Sequence, residues 1–282
     1  MKRIASLQDI SCLGRCSLTV ALPIISAMGV ECAVVPTAVL STHTMFSHFT
    51  AEDLSHQILP IARHWKSEKI HFDALYTGYL AGAEQVEKIL TFFDLLQEKD
   101  TLIFVDPAMA DHGKLYPAFE ESFPLAMRKV VARADIALPN LTEACLLTGS
   151  SYREAYDEEY VKDLLRKIVK IGAKKAVLTG VSFREDQIGF MAYDPAREEF
   201  SSYFTLKEKE TFHGTGDIFS SVTVGGLMRG MSLAESLRLA ADYTRECIGL
   251  TAASADRTWY GVEFERAIPL LVEKVEEYDA QK

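Results

Sequence analysis

Residues 2–39 read KRIASLQDISCLGRCSLTVALPIISAMGVECAVVPTAV, and this stretch decides the fold. Lys2 to Leu7 and Glu31 to Val39 are short apolar runs of strand length. Between them Ser17 to Met28 reads as a helix that Gly29 closes, so the chain opens with a β-α-β unit. Two parallel strands cannot be joined by a tight turn, and a helical crossover of this length is the usual solution.

The same alternation recurs downstream. Glu52 to Trp65 reads as a helix, Ala74 to Thr77 as a strand, Glu84 to Lys99 as an amphipathic helix, and Thr101 to Val105 as a buried parallel strand. Asp135 to Leu138 and Lys175 to Thr179 continue the series. The pattern then turns antiparallel: Gln187 to Tyr193 and Glu199 to Thr205 flank Asp194-Pro195-Ala196-Arg197, a hairpin signal. Three helices follow, over Gly216 to Arg229, Ser232 to Ala253 and Val262 to Tyr278, with breaks at Gly230 and Gly261. With no internal repeat, low-complexity tract or linker, the expectation is one α/β domain over residues 1–282.

Composition narrows the function. The chain has 282 residues, 48% of them hydrophobic, enough for a large core. A formal net charge of −10 without a basic cluster disfavours nucleic acid and anionic membranes and leaves a small-molecule partner. No long apolar segment or signal peptide is present, so a cytoplasmic location is expected. The five cysteines suit reduced, mostly buried thiols, and Cys12 and Cys16, the one close pair, lack a second ligand pair for zinc.

In an open parallel sheet the ligand crevice lies at the carboxyl ends of the strands. Polar punctuation falls there six times: Gln8-Asp9, Ser41 to Thr44, Thr77-Gly78-Tyr79, Asp106-Pro107, Pro139-Asn140 and Thr179-Gly180. The sharpest motif is Phe212-His213-Gly214-Thr215-Gly216-Asp217-Ile218-Phe219-Ser220-Ser221, a glycine turn running into an apolar helix. Two glycines admit a ligand close to the backbone, and a helix start attracts anions. Asp217 could simply cap that helix. At a phosphate site, however, a carboxylate would be repelled unless it has a task, such as taking a proton from an attacking hydroxyl.

Gly214-Thr215-Gly216-Asp217 in this C-terminal position resembles the signature of the ribokinase-like superfamily. Ser41-Thr42-His43-Thr44, Thr77-Gly78-Tyr79-Leu80, Val105-Asp106-Pro107-Ala108-Met109 and Pro139-Asn140-Leu141-Thr142-Glu143 are similar, in order and spacing, to the motifs of pyridoxal kinases. The likeness runs from about Arg3 to Arg257. It implies a three-layer fold, a mostly parallel sheet between helices with a small antiparallel edge at the Gln187 to Thr205 hairpin. The activity it implies is transfer of the ATP terminal phosphate to the 5'-hydroxyl of pyridoxal, pyridoxine or pyridoxamine.

On that resemblance, Asp217 is the base and Gly214, Thr215 and Gly216 form the anion hole. Asp106 and Glu143 act on Mg²⁺ and the phosphates, directly or through water. Asn140, Thr179 and Gly180 line the nucleotide, and Asp9, Ser41, His43, Thr44 and Tyr79 face the vitamin. A homodimer is implied as well, and whether a monovalent cation assists is left open.

Asp106 before a proline, Glu143 at a helix start and His43 in a loop each have a plain structural reading beside the functional one. Rival motifs fail: Gly113-Lys114 has Ala108 where a P-loop needs its first glycine, and Gly214-x-Gly216 has Phe219 where a dinucleotide turn needs its third. Hydroxymethylpyrimidine kinases are the competing reading; many carry Cys at the place of Asp217 and a glycine-rich loop at the place of Asp9 to Cys16. Sugar kinases lack support because their N-terminal Gly-Gly motif is missing, and a non-catalytic binder would need no base. Asp9 itself stands where pyridoxal kinases commonly have Ser.

Overall fold

The structure is a computed structural model describing residues 1–282. The opening unit is β1 (Arg3–Ser11), α1 (Leu18–Ala27) and β2 (Glu31–Leu40), followed by β3 (Ala51–Asp53), α2 (Ser55–Ser67), β4 (Ala74–Thr77) and α3 (Ala83–Leu96). Next come β5 (Leu102–Val105), a small hairpin of β6 (Ala110–Asp111) and β7 (Lys114–Leu115), α4 (Phe123–Val131), β8 (Ile136–Ala137), α5 (Leu141–Thr148) and α6 (Glu158–Ile171). β9 (Lys175–Val181), β10 (Gln187–Asp194), β11 (Glu199–Leu206), α7 (Thr215–Met228), α8 (Leu233–Ala252) and α9 (Ile268–Asp279) complete the chain.

Nine strands form one sheet in the order β11-β10-β9-β8-β5-β4-β1-β2-β3. The six from β9 to β2 are parallel, while β10 and β11 make the expected antiparallel edge. Strand side chains alternate between two cores. Leu75, Ile103 and Val105 join one cluster with α2 to α6; Ala74, Tyr76 and Phe104 join the other with α1 and α7 to α9. That is the three-layer sandwich that the sequence predicts. Its helices are written in the sequence: α6 buries Val161, Leu164, Leu165 and Ile168 at helical spacing and is capped by Asp157, and α8 opens with a Ser232/Glu235 capping box.

Several boundaries differ from the sequence reading. β1 runs on to Ser11, placing Asp9 inside the strand rather than after it. Residues 51–53 form β3, antiparallel to β2, so the second helix begins at Ser55 and not at Glu52. β9 likewise extends through Thr179 and Gly180. The last helix starts at Ile268 after a 3₁₀ turn at Phe264–Ala267, where Pro269 fits the first helical turn. Cys145 and Cys247 are buried thiols as expected, whereas Cys12 is exposed; all five are free.

Topology positions the crevice. β1 connects through α1 to β2 on one side, while β4 lies on the other side of β1 and leads through α3 to β5. α1 packs in one layer and α3 in the other. Right-handed crossovers running in opposite directions require this reversal, and the β1/β4 boundary is therefore a topological switch point, the place where sheets of this kind usually take their ligands.

Candidate active site

The glycine turn that precedes α7 contains two glycines with different reasons to exist. Gly214 has φ +85°, and a Cβ on it would lie 2.1 Å from the Arg15 carbonyl oxygen, so the chain itself demands glycine there. Around Gly216 a Cβ would meet nothing within 4 Å. Packing does not require its smallness; it leaves open space beside the unpaired amides at the start of α7, where an anion is favoured.

Three carboxyl groups converge on this turn. Asp106 follows β5, is 8% exposed, and accepts a 2.6 Å hydrogen bond from Ser220 Oγ of α7. Burial pushes its carboxyl up to about 6. Glu143, 3% exposed in the first turn of α5, has both oxygens engaged: Oε1 accepts from the Met109 amide at 3.0 Å and Oε2 from the Asn140 amide at 2.9 Å. Burial and the nearby charge of Asp106 raise it, against the pull of those amides.

Asp217, in the first turn of α7, keeps part of its side chain open to the cleft. Burial first, and then the charges of Asp106 and Asp9, push it up to about 7, while the Ser17 amide works the other way. A carboxylate with this pKa is matched to proton transfer near neutrality.

A cavity of about 460 Å³ joins these groups. Its walls include Asp106, Asn140, Glu143, Thr179, Gly180 and the 214–217 turn, so the structure brings together the residues expected to hold nucleotide and metal. Asn140 does so as a scaffold. Its Oδ1 accepts from the Glu143 amide at 3.0 Å, capping α5, and its Nδ2 donates to the Ala110 carbonyl at 2.8 Å, fixing the β6–β7 hairpin.

That hairpin brings Asp111 and His112 to the rim, and Lys207 and Arg245 line the far wall, where Arg245 Nε bonds Glu208 at 3.3 Å. None of the four was singled out from sequence. Asp111 stands five residues from Asp106 in a hairpin too short to show periodicity, and Arg245 meets Glu208 only through packing of α8.

The residues expected to face the second substrate are placed apart from this cavity. Asp9 is 3% exposed near the carboxyl end of β1 and accepts from Ser11 Oγ at 2.9 Å. Tyr79, just past β4, has its hydroxyl pushed up to about 12 by burial and by Asp9. His43 is buried; its Nδ1 accepts from the Met45 amide at 3.2 Å, so Nε2 carries the proton and donates to the Tyr260 carbonyl at 2.9 Å. Its ring centroid lies 5.3 Å from that of His213, which borders the glycine turn. Ser41 and Thr44 are exposed, and Ser41 Oγ closes its own loop by accepting from the Thr50 amide at 2.9 Å.

The sequence pattern that defines the phosphomethylpyrimidine kinase family matches residues 21–259. A hydroxymethylpyrimidine/phosphomethylpyrimidine kinase of Bacillus subtilis is 27% identical over 217 residues, 75% of this chain and 76% of its own. Among solved structures, pyridoxal kinase from Lactobacillus plantarum superposes with a TM-score of 0.88 at 31% identity, covering 98% of this chain and 99% of that one. A Bacteroides thetaiotaomicron protein, provisionally named a phosphomethylpyrimidine kinase and crystallised with pyridoxal, gives a TM-score of 0.91 at 33% identity, over 96% and 95% of the two chains.

Proposed function

The chain belongs to the phosphomethylpyrimidine kinase family, and from that premise we propose that it phosphorylates the 5'-hydroxyl of vitamin B6 vitamers with ATP. The observation that carries this reading is Asp217, a carboxylate with a pKa of about 7 in the same helical turn as the open Gly216 cradle. In a loose phosphoryl transfer the protein mainly positions the reactants and offsets charge. The amides of Gly214 to Gly216 bind the terminal phosphate, Thr215 continues that cradle, and Asp217 takes the proton from the attacking hydroxyl onto a carboxylate oxygen.

A magnesium ion fits the donor set. Asp106 and Glu143 are buried hard-oxygen ligands without an arginine or lysine to balance them. Asp106 would hold the ion directly, and Glu143, whose oxygens already bind amides, would act through water. When bound, the ion supplies charge neutralisation to the phosphate oxygens. Thr179 and Gly180, at the end of β9, would border the nucleotide.

The second reading is phosphorylation of hydroxymethylpyrimidine, which the family match and the Bacillus subtilis relative favour. Both acceptors carry a hydroxymethyl group on a heteroaromatic ring, so one assay separates them. Purified protein with Mg-ATP is offered the three vitamers and hydroxymethylpyrimidine side by side, with ADP release measured for each. Faster release with any vitamer supports the proposal; higher kcat/KM for hydroxymethylpyrimidine replaces it; and release with none of the four removes both.

A further inference from the structure

Asp9 lies at the switch point of the sheet, and nothing in the chain balances its charge. β1 pairs with β4 up to Leu7 and Thr77, two residues before Asp9, and its ladder with β2 shifts register between Gln8 and Ile10. A break of this kind re-aims side chains at the carboxyl edge where ligands enter. The carboxyl group is 3% exposed; Ser11 Oγ holds one oxygen at 2.9 Å, and the Ser17 hydroxyl lies against the group.

No arginine, lysine or histidine pairs with it. Its ionisable neighbours are acids: Asp217, the Tyr79 hydroxyl and the Cys16 thiol all feel its negative charge. A buried carboxylate among other acids costs the fold stability unless a cation is supplied. Serine hydroxyls orient it without neutralising it. A turn-forming aspartate, by contrast, would bond the amides of the loop that follows it, whereas the amide that reaches the Asp9 carboxyl is its own.

We propose that Asp9 selects acceptors bearing an ammonium arm beside the hydroxymethyl group, with the bound amine as the missing counter-charge. This rests on the kinase reading above and names the substrate class of that site. The ring nitrogen of such heterocycles is only partly protonated near neutrality, whereas an aliphatic amine is fully charged. The amine therefore gains most from a desolvated carboxylate. Pyridoxamine carries such an arm, and pyridoxine replaces it with a hydroxymethyl group.

The test compares kcat/KM for pyridoxamine and pyridoxine in the wild type, Asp9→Asn and Asp9→Ser. Asn keeps the shape, and Ser is a second variant should the amide not be accommodated. The pyridoxamine-to-pyridoxine ratio is expected to fall at least tenfold in either variant. A ratio unchanged within twofold, including equal losses for both vitamers, would assign Asp9 to the ring or to loop structure and overturn the proposal. Calorimetric Kd values for the two vitamers without nucleotide read the same ratio independently of turnover. A protein that binds pyridoxamine in an Asp9-dependent way but releases no ADP would sink the kinase reading and leave this one standing.

Discussion

The proposed phosphate end and the proposed acceptor end of the site are built by different means. At the phosphate end, Asp106, Glu143, Asn140 and Asp217 stand on the ends of β5, α5 and α7, and two of them have a second task in the fold: Glu143 and Asn140 cap α5 and hold the Ala110 hairpin. At the acceptor end, three loops lean on one another. Arg15 bonds Glu265 at 3.0 Å and Thr258 at 2.8 Å, and His43 bonds the Tyr260 carbonyl. Side chains on regular elements keep fixed distances, which phosphoryl transfer needs. Loop-to-loop contacts can change between relatives without disturbing the sheet, and that suits the end that chooses the acceptor.

The sharpest test of the phosphate end is Asp217→Asn, which as loss of the base should cost roughly 10²- to 10⁴-fold in turnover. The fold should respond in the opposite direction. The folded pKa of about 7 exceeds the ordinary value of 3.8, so ionising Asp217 weakens the folded state progressively as pH rises between those values. The Asn variant should therefore melt higher than wild type at pH 8 and show no such gain at pH 4. A gain of 1 kcal/mol is worth roughly 2–4 °C in a chain of this size. Turnover reduced less than threefold would leave Asp217 as a helix cap.

The same ionisation sets an acid limb. In the wild type kcat/KM should fall tenfold per pH unit below about 7 as Asp217 takes up its proton. A flat profile from pH 5 to 8 would mean that another group accepts the proton.

The two glycines of the turn separate fold from ligand. Gly214→Ala forces a side chain onto φ +85° and against the Arg15 carbonyl and should destabilise by about 1–3 kcal/mol, seen as a lower Tm. Gly216→Ala adds a methyl to open space, so Tm should stay near wild type while KM for ATP rises. Similar Tm losses in both would show that the cradle is ordinary packing.

Asp106→Asn and Glu143→Gln should raise the Mg²⁺ concentration for half-maximal rate more than they raise acceptor KM. Glu143→Gln should also lower Tm, because an amide nitrogen cannot accept from the Met109 or Asn140 amides. Metal titrations that superimpose on wild type would take both residues out of the metal site.

The smallest effect tests the acceptor end. Arg15→Ala removes a partly exposed ion pair and should change stability by only about 1 kcal/mol or less. Because it also loosens the Thr258 contact, acceptor KM should rise with ATP KM unchanged. Parallel changes in both constants would erase the division of the crevice into two ends.

Much of this architecture is local and therefore readable in the chain. Strand and helix periods, the Asp194-Pro195 hairpin and the run of polar residues at strand ends each depend on neighbours a few positions apart, so the alternating β-α pattern and its antiparallel edge follow from residues 2–39 and 187–205. Gly214 to Asp217 is readable for the same reason, since glycine turn and helix start are contiguous.

What the tertiary structure decided are the relations between distant segments. Only packing reveals that Glu143 has no free oxygen, that Gly214 is fixed by Arg15 some 200 residues earlier while Gly216 is not fixed by the chain at all, and that Ser41 closes a loop while His43 braces one. Burial, counter-charge and the pKa of Asp217 are sums over groups that the sheet brings together from opposite ends of the sequence. A linear pattern records which residue types are present but not the field in which they stand.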